Sequence, residues 1–219
     1  MPFTQMIKKI LVIAGNINEE EIVYYLNEIY SKIPKNNHSL ILPNYDYESI
    51  RKKEDTIYRN VEKDIYGLGI KIKKPELLTA EDFYACINFM YAYLLYVDSK
   101  FLINLFNNNI IDNLHYGGVN WNNDYANLVY NFSSINKDKY YDAFLEKINN
   151  LNMTNEEFEY LRRTFIAEEI RDLENKYHHP SIFGYRMNYT DNYSDTNYYK
   201  NLSYDKFSEL IKQIYFISI

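Results

Sequence analysis

The chain opens on an apolar run, Ile7-Lys8-Lys9-Ile10-Leu11-Val12-Ile13-Ala14, β-branched towards its centre and ended by Gly15-Asn16, which predicts a strand. A helix is predicted next. Asn18 is a good N-cap with Glu21 three residues on, Ile22, Leu26, Ile29 and Ile33 share one face, and Pro34 stops it. Residues 56–72 read as extended chain, with alternation strong enough for a strand at Tyr66–Ile72; Gly67 and Gly69 inside it point to a bulge or a close backbone approach. Thr79 with Asp82 starts a long helix to about Val97, whose Phe83, Ile87, Met90, Tyr91, Leu94 and Leu95 make a wide apolar face. A shorter helix from Lys100 runs into Asn107-Asn108-Asn109, and two strands, 115–121 and 124–133, are joined at Asn122-Asn123. The rest reads as helical. The predicted segments are 138–149, 154–177 with a Thr154/Glu157 capping box, 181–189 behind Pro180, and a last helix capped by Ser203 or Asp205 that uses Phe207, Leu210, Ile211 and Ile214.

Strands are few and helices gather towards the C-terminal half. The pattern therefore predicts an α+β domain, with an antiparallel or mixed sheet packed by helices, rather than repeated βαβ winding. Residues 35–54 are polar, contain Pro43 and lead into Arg51-Lys52-Lys53-Glu54-Asp55. They read as a linker between a strand-helix unit, 1–34, and a main domain, 55–219.

Composition narrows the partners. Twenty-four Lys+Arg against thirty Asp+Glu leave a net charge of −6 on 219 residues, which argues against nucleic acid and against an anionic membrane surface. One cysteine, Cys86, excludes an internal disulfide and any cysteine-based structural zinc site, and the apolar helix beside it predicts a packing role. No stretch reaches the roughly 20 apolar residues of a spanning helix, and the start MPFTQMIKK has no apolar leader, so a cytoplasmic location is expected. The 25 tyrosines are expected to do the work of Leu and Phe, with hydroxyls at the surface.

The familiar catalytic patterns are missing. Gly15-Asn16-Ile17-Asn18 has one glycine where a dinucleotide fingerprint needs three, and Glu19, Glu20 and Glu21 would repel a pyrophosphate. Phosphate-loop and nucleophile-elbow motifs do not occur, nor does H-E-x-x-H or H-x-x-E-H. His178-His179 point about 100° apart on any helix and are followed by Pro180, a poor start for a metal site. Glu168-Glu169-Ile170-Arg171-Asp172 with Arg162-Arg163 is expected to form ion pairs on an exposed helix surface.

The order of several segments resembles the C-terminal half of zinc peptidases of the pitrilysin/insulinase family. Ile10–Glu21, followed by a helix closing at Lys32-Ile33-Pro34, resembles that family's strand, Gly-(Asp/Asn), three acids, helix, (Lys/Leu)-Pro passage. Leu105-Phe106-Asn107-Asn108-Asn109-Ile110-Ile111-Asp112 resembles the LY-x-x-GLID stretch of a bacterial branch, Met153–Arg163 its glutamate-rich helix start, and Leu202–Phe207 the start of its late helix. Members pair two homologous halves into a clamshell whose first half holds zinc through H-x-x-E-H. The resemblance thus implies a non-catalytic domain, with no cofactor of its own, that closes the chamber and contacts peptide. It implies a zinc-bearing half as partner, in the same longer chain or as a separate subunit. It also implies a peptide-contacting tyrosine at Tyr116; the arginine that many relatives carry seven residues earlier is here Asn109. The alternative is a stand-alone peptide-binding or assembly module. In the family the last helix is followed by a strand. Tyr215-Phe216-Ile217-Ser218-Ile219 looks too short for one, so Ile7–Ala14 is expected to fill that sheet position unless the sequence is cut from a longer chain.

Overall fold

A computed structural model describes residues 13, 16–32, 54–60, 62–96, 98–121, 125–134, 136–174 and 196–218; side chains at 114–116, 121, 137, 173 and 215–218 lie outside that description. The chain divides into two compact units, Met1–Asp46 with Ile170–Tyr193, and Tyr47–Glu169 with Ser194–Ile219.

In the first unit the described element is helix α1, Glu19–Ser31. Asn18 caps it as the sequence predicts, its side chain accepting from the Glu20 and Glu21 N–H groups, while the three glutamates sit against the positive end of the helix dipole. Ile22 and Leu26 are half-buried and Ile29 is exposed. The period sets which residues share a face; what covers that face is decided elsewhere. The expected strand Ile7–Ala14 and helix 181–189 lie outside the described residues.

The second unit is α+β. Its antiparallel sheet has the order β2-β3-β1-β4, with β1 Ile65–Lys73, β2 Asn113–Trp121, β3 Tyr125–Ser133 and β4 Tyr215–Ser218. The β2-β3 hairpin is where alternation placed it. β4 corrects the expectation for the C-terminal residues. Tyr215–Ser218 do form a strand, pairing with Lys71–Lys73 across a register shift, so the position next to β1 is filled from the end of the chain. Three or four ladder positions suffice because β3 already holds β1 along its whole length.

Six helices complete the unit: α2 Ala80–Leu95, α3 Lys100–Asn107, α4 Lys137–Asn149, α5 Asn155–Glu174, which runs on into the first unit, α6 Thr196–Asn201 and α7 Tyr204–Ile211. α2 is the axis of the core. Nine of its sixteen residues are buried, more than one face can hold, because β2, β3, α3 and α7 pack around it. Cys86 is among them. Burial pushes its thiol up to about 12, which fits the packing role expected of it.

Two aromatic clusters fill the interior. Phe89 of α2 gathers Phe158, Phe165, Tyr199 and Phe207 from α5, α6 and α7. Phe132 and Tyr130 of β3 meet Tyr140 and Phe144 of α4 under the sheet. The surface reading of Glu168 and Glu169 needs correction. Glu169 is 4% exposed and Glu168 accepts from the Tyr96 hydroxyl at 3.3 Å, since this side of α5 faces the core. Arg162 instead pairs with Glu159 at 2.7 Å and reaches the carbonyls of Tyr199 and Lys200.

The capping box of α5 is reciprocal. The Thr154 hydroxyl accepts from the Glu157 N–H, and the Glu157 carboxylate accepts from the Thr154 N–H and from Lys100 at 3.0 Å. Burial alone would raise this carboxyl, but the Thr154 N–H, Lys100 and the Thr154 hydroxyl outweigh it and hold it below its ordinary value. Glu157→Ala is therefore expected to cost about 1 kcal/mol of unfolding free energy at neutral pH, measured by urea denaturation. A carboxyl depressed in the folded state stabilises above its unfolded pKa and stops doing so as pH falls through the folded one. The gap between wild type and variant should close in acid; a gap independent of pH would contradict this account.

Candidate functional site

Helices cover one face of the sheet; on the other, the middle of β1 is exposed at Gly67 and Gly69, while the end residues Tyr125 and Ser133 of β3 are buried. Tyr66, Leu68, Ile70 and Ile72 of β1, in register with Phe132, Tyr130, Leu128 and Ala126 of β3, point to the helices. The other face carries Gly67, Gly69 and Lys71 opposite Asn131, Val129 and Asn127. There the glycines are exposed and the three β3 residues half-buried. β2 extends this face with Gly118 opposite Val129 and Asn120 opposite Asn127. At one end Lys71 lies 5.0 Å from the centre of the Tyr125 ring.

Tyr116 belongs to β2. It stands opposite Asn131, directly after the shift between Leu114 and Tyr116 that leaves His115 as the extra residue of a bulge. A bulge re-aims the strand, and the alternation of residues 115–121 gives no hint of it. The outer edge of β2 has no strand partner among the described residues.

Asn109 has a different occupation. It is the one described non-glycine residue with positive φ, at 52°, and it closes α3. Its N–H donates to Phe106 O and the next N–H, of Ile110, donates to Leu105 O, a Schellman arrangement with asparagine in the left-handed position. In the resembled LY-x-x-GLID stretch glycine stands here, and asparagine is the next residue to tolerate that conformation. Position 109 thus turns the chain from α3 towards β2. Asp112 then anchors the turn: it accepts from Lys63 at 2.6 Å and from the Ser133 hydroxyl, and its N–H donates to Ser133 O. Lys63 first, and then Ser133, hold its carboxyl below the ordinary range. The three strands are thereby pinned together at the end where Tyr116 lies.

A cleft of about 470 Å³ is lined by Met90, Met153, Phe207 and Ile211 together with Tyr204, Ser208 and Lys212. The Tyr204 hydroxyl is spent on the Met153 carbonyl at 2.9 Å. The lining carries neither a carboxylate nor a histidine. No group of three or more His, Cys, Asp or Glu among the described residues could hold a metal ion, so this donor set does not fit a catalytic zinc. No described helix is long and apolar enough to cross a membrane.

No protein-family model matches the chain, and no curated protein matches it by sequence. Solved structures do. A protease from Helicobacter pylori aligns with a TM-score of 0.66 at 14% identity over 91% of this chain and 50% of its own. A structure described as an M16-like peptidase, from Alicyclobacillus acidocaldarius, aligns at 0.58 and 9% identity over 70% of this chain and 38% of its own. One described as a zinc protease, from Bordetella pertussis Tohama I, aligns at 0.50 and 11% over 68% and 91%. The chain spans half or less of the length of the first two. What these likenesses establish is the fold, and it is that of one half of an M16-like peptidase.

Proposed function

We propose that this chain is the half of a pitrilysin/insulinase-type metallopeptidase that lacks the zinc motif, closing the peptide chamber against a zinc-bearing half. One observation carries the reading: a fold matching half of an M16-like peptidase on a sequence with no H-x-x-E-H. In this assignment zinc and the hydrolytic water belong to the companion half. The present chain contributes a wall, excludes solvent and touches the substrate. The open sheet face supports that role, since a wall needs a face not already packed by its own helices. Tyr116, in the row of Asn131, is the proposed contact.

The test is reconstitution. The purified chain with added zinc is expected to leave an unfolded peptide intact. Mixing it with a polypeptide that bears H-x-x-E-H and is encoded beside it, or upstream in the same reading frame, is expected to give chelator-sensitive cleavage faster than that polypeptide alone. Chelator-sensitive turnover by a clean preparation of this chain would refute the assignment. The outer edge of β2, unpaired among the described residues, favours a second reading, a module that takes up an extended peptide without any peptidase companion; peptide binding with no effect on cleavage in the mixture would support it.

A further inference from the structure

We propose that the open sheet face holds the main chain of an extended peptide through the side-chain amides of Asn127 and Asn131, over a floor kept clear by glycine. The inference rests on the reading above for the class of ligand, and goes beyond it in naming the site. Gly69 provides the first observation. A Cβ built there meets nothing within 4 Å among the described residues and its φ is not positive, so neither their packing nor the backbone conformation asks for glycine. Glycine inside a nine-residue strand is unfavourable in itself, and its usual explanation is close approach by another backbone. Its neighbour across β3, Gly118, stands in the same row.

The amides provide the second observation. Asn127 and Asn131 are half-buried, and neither side chain has a hydrogen-bond partner among the described residues. Gly67 makes room for one of them: a Cβ there would come within 3.0 Å of the Asn131 Oδ1. A primary amide offers a donor and an acceptor, the complement of a peptide group. Four residues apart on one strand, the two amides stand about 13 Å from each other, the span of four residues of extended chain. Between them lies Val129, and Lys71, opposite Asn127 and over the Tyr125 ring, puts one cation at that end of the site, so peptides of equal net charge are the fair comparison.

The probes are two fluorescein-labelled, unstructured peptides of unrelated sequence and equal net charge, about a dozen residues long, and a copy of one with alternate main-chain nitrogens methylated. Fluorescence anisotropy should give similar affinities for the two peptides and a loss of about tenfold on methylation. The double variant N127A/N131A should lose a similar factor. Gly69→Val should fold with an unchanged or higher denaturation midpoint, because its side chain enters open space, yet bind several-fold more weakly. Equal binding by N127A/N131A, binding that follows peptide sequence, or no binding by the wild-type chain would overturn the proposal. So would a wild-type dimer in sedimentation that Gly69→Val makes monomeric, which gives the face to a second copy. The two readings fail separately. Undiminished cleavage by N127A/N131A with the zinc-bearing companion sinks this site alone, whereas intact peptide binding without any cleavage in that mixture sinks the peptidase assignment alone.

Discussion

Truncating Phe89 to alanine should lower the unfolding free energy of the second unit by about 3–5 kcal/mol, the range for a fully enclosed phenylalanine. The ring is 0% exposed. It stacks on Phe158 at 4.9 Å and 19°, meets Phe165 edge-on at 4.9 Å and 80°, and touches Phe207 and Tyr199 at 4.9 and 6.1 Å. One side chain of α2 thus ties together α5, α6 and α7. Alanine would forfeit the transfer free energy of the ring and leave a hole that four aromatic neighbours, fixed on three different helices, cannot all relax into. Domains of this size are stable by only about 5–15 kcal/mol, so the variant is expected to be marginal. Phe89→Leu, which keeps much of the volume, should lose less than half as much and remains measurable if the alanine variant does not fold. The control is Tyr160→Ala, a ring 51% exposed whose hydroxyl reaches Asp98 at 2.7 Å, for which a loss of no more than about 1 kcal/mol is expected. Urea denaturation giving Phe89→Leu and Tyr160→Ala similar losses would show that the helices are not joined through this ring.

The same cluster marks how far a sequence can be read. Thr79, Asn18, Ser203 and the Thr154/Glu157 pair are legible because a cap acts within three residues of itself. The wide face of α2 is legible because its period repeats for four turns. That Phe89 would be the meeting point is not, since it falls outside the stripe 83, 87, 90, 94 and its burial depends on helices far along the chain. β4 escaped for a related reason. Four residues carry no usable alternation, and their pairing with Lys71–Lys73 joins distant parts of the chain. α6 escaped because six residues make fewer than two turns. The resemblance supplied what periodicity could not, namely that these elements build half of a peptidase fold. For the proposed site, sequence reasoning named Tyr116 as a candidate and noticed Gly67 and Gly69, but β-strand register decides which residues stand opposite one another. Asn127 and Asn131 had no signal in a chain so rich in asparagine.

Tyrosine hydroxyls are the clearest departure from expectation, and they carry the second large prediction. Some follow the surface reading: Tyr160 reaches Asp98, and Tyr198, half-buried, reaches Asp82 at 2.6 Å. Tyr140 does not. It is 2% exposed, its ring lies against Phe132, Phe144 and Tyr130, and its hydroxyl has no hydrogen-bond partner among the described residues. Burial, and to a lesser degree Tyr130, push the phenol far above its ordinary pKa, so it stays neutral throughout the accessible range. A buried, unsatisfied hydroxyl costs its desolvation and returns nothing. Tyr140→Phe keeps the ring and removes that cost, and is expected to raise the unfolding free energy by about 1–2 kcal/mol. Tyr199→Phe should do the opposite. Its hydroxyl accepts from Asn88 Nδ2 at 3.1 Å, and losing that bond should cost about 1 kcal/mol. Two identical chemical changes, in one unit, are thus expected to move the urea midpoint in opposite directions. If Tyr140→Phe is destabilised as much as Tyr199→Phe, a bound water must satisfy the hydroxyl, and the floor beneath β3 would be polar rather than dry. That floor matters to the opposite face: Phe132 under the sheet and Asn131 on top are consecutive residues, so whatever stiffens the packing around Tyr140 also fixes the amide above it.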